Sequence, residues 1–110
     1  MNHSALLETL RKFDFYEIRN DVASRFEAVV RKEKMTELLR VLQEFYGKPY
    51  KPAGAHPDSQ AKQLTSPYGG IQDNQILFHQ ADGASFSLSM IWPWSNGMMA
   101  TLITVCGVKD

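Results

Sequence analysis

Residues 85–108 read SFSLSMIWPW, then SNG, then MMATLITVCGV. From Ser85 to Trp94 the chain alternates, with Phe86, Leu88, Met90, Trp92 and Trp94 on one side and Ser85, Ser87, Ser89 and Ile91 on the other. A period of two is the period of a strand. Ser95-Asn96-Gly97 follows, and Asn-Gly is a strong hairpin signal. Met98 to Val108 then forms a second strand with two apolar sides, Ala100/Leu102/Cys106/Val108 and Met99/Ile103/Val105. A strand apolar on both sides needs cover on both sides.

Upstream, Gln75 to Ala81 reads as a third strand, ending at the turn signal Asp82-Gly83. Before it, residues 48–70 hold four of the five prolines and read as a long loop. Earlier still, Met35, Leu38, Leu39, Leu42, Phe45 and Tyr46 fall on one helical stripe, and Gly47 and Pro49 mark the stop. Leu6, Leu7, Leu10 and Phe13 share a helical face, with Ser4 as the expected N-cap and Asp14-Phe15 as the end.

Residues 17–31 admit two readings. On a helical wheel with Ile18 at zero, Val22, Phe26, Val29 and Val30 fall between about 20° and 120°. The Met35–Tyr46 stripe then falls between about 180° and 300°, so one continuous helix is excluded. A break must lie near Arg31-Lys32-Glu33-Lys34. The β-branched pair Val29-Val30 beside Phe26 favours a strand over a separate helix.

These elements predict a two-layer α+β domain in the order α-β-α-β-β-β. Its sheet is four-stranded and mainly antiparallel, with helices on one face. The length of 110 residues suits a single domain spanning 1–110. The second apolar side of the last strand would then need a partner chain, the 48–70 segment or a ligand to cover it.

Several function classes fall away. Twelve basic and twelve acidic residues cancel, which is not the footprint of a nucleic-acid binder. The basic cluster Arg25, Arg31, Lys32, Lys34 and Arg40 is interleaved with Glu27, Glu33 and Glu37. Glu8 and Arg11 interrupt any secretory stretch, and the longest apolar run, Met98 to Val108, falls short of the ~20 residues of a spanning helix, so a membrane role is not expected. One cysteine excludes an internal disulfide. A free thiol agrees with a reducing, cytoplasmic setting.

No motif for an enzyme or a cofactor is present. His3, His56, His79 and Cys106 lack the paired spacing of zinc ligands. Cys106 with His79 would make a nucleophile–base pairing, and Cys106 reads instead as a core thiol. Gly69-Gly70 precedes a strand and so lacks the helix start that cradles phosphate.

The most distinctive stretch is Trp92-Pro93-Trp94, with Met98 and Met99 across the turn. Tryptophan and methionine are enriched at interfaces. The leading expectation is a non-enzymatic domain that self-associates, as a homodimer, or docks on a protein through this aromatic surface. The alternative is a small-molecule-binding module or small enzyme. Its pocket would lie between sheet, helices and the 48–70 segment, lined by Tyr50, Tyr68, His56, His79 and Trp92.

Overall fold

The structure, a computed structural model, describes residues 2–108. Helix α1 (His3–Arg11) leads into strands β1 (Glu17–Val22) and β2 (Arg25–Arg31). A single 3-10 turn, Lys32–Lys34, opens helix α2 (Met35–Tyr46). Helix α3 (Ser59–Thr65) lies within the proline-rich segment, and β3 (Ile76–Asp82), β4 (Ser85–Pro93) and β5 (Met99–Val108) complete the fold. The strands form one sheet in the order β1-β2-β5-β4-β3, every neighbouring pair antiparallel. The α+β class and the antiparallel sheet are as the sequence predicts.

The sheet has five strands, not four. Residues 17–31 are neither one strand nor a helix but a hairpin, with Ala23 and Ser24 as its loop. Ala-Ser carries no glycine or asparagine, and no residue other than glycine takes a positive φ among the described residues. The hairpin therefore lacks the primed-turn residues by which hairpins are read from sequence. The start of α1 also differs: Asn2, not Ser4, is the N-cap, its side-chain oxygen accepting from the Ala5 amide at 2.9 Å.

Helices α1 and α2 cover one face of the sheet. Leu6, Leu7 and Leu10 of α1, with Leu38, Leu42 and Phe45 of α2, pack on Phe26, Ala28 and Val30 of β2 and on Ala100 and Leu102 of β5. Each of these buried leucine, valine and phenylalanine side chains contributes roughly 1.5–3 kcal/mol. The other side of β5 is not left open. Ile103 and Val105, with Leu88 and Met90 of β4 and Leu77 of β3, pack beneath Ala61 of α3 and Ile71. The proline-rich segment is thus the cover, and it carries a helix that prolines hid from view. Asp58 starts that helix by accepting from the Ala61 amide at 2.8 Å. Of the three covers considered, the chain supplies its own.

Trp92 joins this second cluster, and its ring lies on Gly69. A Cβ at Gly69 would stand 2.7 Å from Trp92 Cη2, at a backbone φ of +109°. Gly69→Ala is expected to cost about 1–3 kcal/mol in urea unfolding, through strain and overpacking together. A variant as stable as the parent would mean that the ring has room to retreat. No helix among the described residues is long and apolar enough to cross a membrane.

Candidate functional site

Side chains two apart on a strand share a face. On the α1/α2 side, the register of β3, β4 and β5 sets up four rows across the sheet. They run Ile76–Ile91–Leu102, Phe78–Ser89–Thr104, Gln80–Ser87–Cys106 and Asp82–Ser85–Val108. The face therefore turns from apolar to polar along the strands while still lying partly beneath helices. Ser87 is only 6% exposed, and Ser89 and Thr104 are fully buried.

Two helix ends supply the partners these hydroxyls need. Tyr46, the last residue of α2, stacks its ring on Phe78 with centroids 5.5 Å apart. Its hydroxyl lies 2.8 Å from Ser87 Oγ and 2.9 Å from Ser89 Oγ. Ser89 Oγ is 2.7 Å from Thr104 Oγ1. His3, the first residue of α1, places Nδ1 2.9 Å from Ser87 Oγ. Buried polar groups persist only when hydrogen-bonded, and this chain satisfies all four hydroxyls.

The chain has a direction. Burial pulls the His3 pKa below the ordinary 6.5, partly offset by the Ala23 carbonyl, so the ring is neutral at pH 7. In the tautomer that carries its proton on Nε2, Nδ1 accepts from Ser87. Tyr46 then donates to Ser87, Ser89 to Tyr46 and Thr104 to Ser89, each hydroxyl donating once. Burial pushes the Tyr46 pKa up to about 12, against the pull of the serine hydroxyls, so the phenol keeps its proton.

A lowered histidine pKa means that the unfolded chain takes up the proton first as pH falls. The stability linked to His3 is fully present above pH 6.5 and is lost as pH falls from there through the folded-state pKa. His3→Gln is expected to flatten this part of the pH–stability curve. Imidazole nitrogen shifts at neutral pH are expected to show the Nε2-protonated form. Equal slopes in parent and variant would contradict the assignment.

The chain ends at a cleft of about 360 Å³. Asn2, His3 and Ser4 at the start of α1 form one wall, with Phe45 beside them. Gln80 and Asp82 of β3, with Ser85, Phe86 and Ser87 of β4, form the other. Gly107 lets the Phe86 ring lie against β5, since a Cβ there would meet the ring at 2.9 Å. Among the described residues lining the cleft there is no lysine or arginine.

The residues singled out from sequence lie elsewhere. Trp92 and Tyr68 pack in the α3-side cluster. Tyr50 donates to Asp58 at 3.2 Å and to Gln60 at 3.0 Å, and its ring stands edge-on to His79 with centroids 6.2 Å apart. His56 pairs with Asp73 at 2.9 Å. Trp94 donates through Nε1 to Thr101 Oγ1 at 2.9 Å, and the Arg19 guanidinium lies 5.7 Å from its ring. Met98 is 61% exposed in the turn, while Met99 is partly covered. The structure brings Tyr50 and His79 together but does not gather all of these residues into one pocket, and none of them lines the cleft. Cys106 and His79 lie on opposite faces, because His79 pairs with Leu88 and Leu88 with Val105. Burial also pushes the Cys106 thiol up, away from nucleophilic character.

The serine alternation was the available signal for the cleft, but it reads equally as a solvent face. Among the described residues no group of three or more His, Cys, Asp or Glu could hold a metal ion. The fold and cleft define a small α+β domain with a polar site at one end of its helix-covered face. Comparison with family models, curated proteins and solved structures finds no match for this chain.

Proposed function

We propose that this chain is a binding module for a small polar ligand, which it takes into the cleft between the start of α1 and the β3–β4 hairpin. The observation that carries this is that Ser87 and Ser89 of β4 lie buried beneath helices rather than in water. Buried hydroxyls forgo the free energy of apolar burial, and an apolar surface of the same shape would be as stable or more so. A hydrogen-bonded polar patch that ends at a concave, half-open site supports a role in recognition.

The test is a fragment screen by amide NMR. Saturable shifts centred on Ser4, Gln80, Ser85 and Ser87 are expected, together with ligand stabilisation independent of protein concentration. Fragments that bind only elsewhere, or not at all, would remove the reading.

A second reading keeps protein docking or self-association. Tyr16, Ile18, Val22 and Met98 are exposed, and edge strand β1 is largely uncovered. Its first support, an uncovered side of β5, is gone. Light scattering over a range of concentrations tests what remains, with mass rising as a dimer forms.

A further inference from the structure

We propose that the cleft takes an uncharged polyhydroxyl ligand of mono- to disaccharide size; this rests on the binding-module reading above. Volume sets the size. At roughly 30 Å³ per water, the 360 Å³ cleft displaces about a dozen waters, which suits one or two sugar rings.

The hydrogen-bonding inventory sets the class. Ser87 Oγ lies 2.9 Å from His3 Nδ1 and 2.8 Å from the Tyr46 hydroxyl, two partners that leave it one hydrogen-bonding position over. Asp82 adds a carboxylate and Gln80 a planar amide; no described residue takes up either side chain. Ser4 and Ser85 offer hydroxyls that both donate and accept. Two carboxylate oxygens match a pair of neighbouring ligand hydroxyls, and the amide can accept from one hydroxyl while donating to another. Phe45 supplies an apolar edge of the kind that packs on the C–H face of a sugar ring, whereas the Phe86 ring lies on the α3 side of the sheet. The same inventory disfavours an anion, since Asp82 would repel it and no described lining residue carries a full positive charge at neutral pH. It gives a small amine only one solvated carboxylate, and such an exposed pair is weak.

The experiment titrates the labelled full chain, by amide NMR, with glucose, galactose, mannose and N-acetylglucosamine. Glucose 6-phosphate, inorganic phosphate and ethanolamine are titrated alongside. At least one neutral sugar is expected to shift the Ser4, Gln80, Ser85 and Ser87 amides saturably, and phosphate and ethanolamine to leave them in place. Glucose 6-phosphate is expected to bind about tenfold more weakly than the best neutral sugar. Asp82→Asn, at an exposed position that leaves the core intact, is expected to weaken the sugar about tenfold through loss of charge-assisted bonds. Tighter binding of the phosphates or of the amine, or cleft binding by fragments but by no sugar, overturns the class and leaves the module reading standing. If neither fragments nor sugars reach these amides, both fall.

Discussion

Replacing Trp92 with alanine is expected to destabilise the domain by about 3 kcal/mol and to turn a chain with a closed α3-side face into one that exposes apolar surface. The ring packs with Leu77, Leu88, Met90, Ile103 and Val105 and is the piece against which Gly69 closes. Removing it opens a cavity under the 3-10 turn Ser66–Tyr68, and both that turn and α3 lose an anchor. A short helix of seven residues has little stability of its own, so its docking depends on such contacts. Three readouts check this: a lower urea midpoint, binding of a hydrophobic dye, and concentration-dependent light scattering absent from the parent. A loss under about 1 kcal/mol without dye binding would show that Trp92 does not seal this face.

The second large effect is expected at Lys51. It is 3% exposed, and its ammonium donates to the carbonyls of Pro52, Asp73 and Gln75 at 3.0, 2.6 and 2.6 Å. Its backbone pairs with Leu77 in both directions, at 3.1 and 3.0 Å. One side chain thus ties the two ends of the proline-rich segment to the start of β3. Lys51→Met keeps the stem and removes the donors; the Pro52 and Asp73 carbonyls keep the Ala55 and Gly54 amides, while the Gln75 carbonyl loses the lysine. A cost of about 3 kcal/mol is expected, on the scale of hydrogen bonds to a charged group. Amides between 52 and 75 are expected to exchange faster than those of β2 and β5, because the segment opens before the sheet does. Trp92 and Lys51 hold the same segment from different ends, so their double variant should depart from additivity by more than about 0.5 kcal/mol. Unchanged exchange in 52–75 would mean that the lysine only decorates the loop.

Both effects concern the segment whose sequence was hardest to read. Pro49, Pro52, Pro57 and Pro67 mark it as irregular, and most of it is. The helix inside it is about two turns started by Asp58, too short for a stripe of apolar side chains to show. The hairpin loop Ala23-Ser24 escaped for a related reason: its turn uses no positive φ and so needs no marker residue. By contrast, the α2 stripe, the Phe86–Trp92 alternation and the Asn96-Gly97 turn each carry a local preference strong enough to stand alone. At that turn the Gly97 amide reaches the Trp94 carbonyl at 3.0 Å with φ +73°. At the preceding hairpin the loop is Gly83-Ala84, one residue later than Asp82-Gly83, with Gly83 at φ +60°.

The chain's local periodicities were enough to specify an α+β domain, an antiparallel meander after residue 75, and which side chains of β4 share a side. They were silent on which layer lies over each side. Alternation records only that Ser85, Ser87 and Ser89 point away from Phe86, Leu88 and Met90. Polarity suggests that the serines meet water, and Ser85 does, yet His3 and Tyr46, 84 and 41 residues away from Ser87 in the chain, arrive to satisfy Ser87 and Ser89. Long-range packing settles such assignments because a hydroxyl is as stable beneath a helix as in water once a partner reaches it, and the partner's arrival depends on the whole fold.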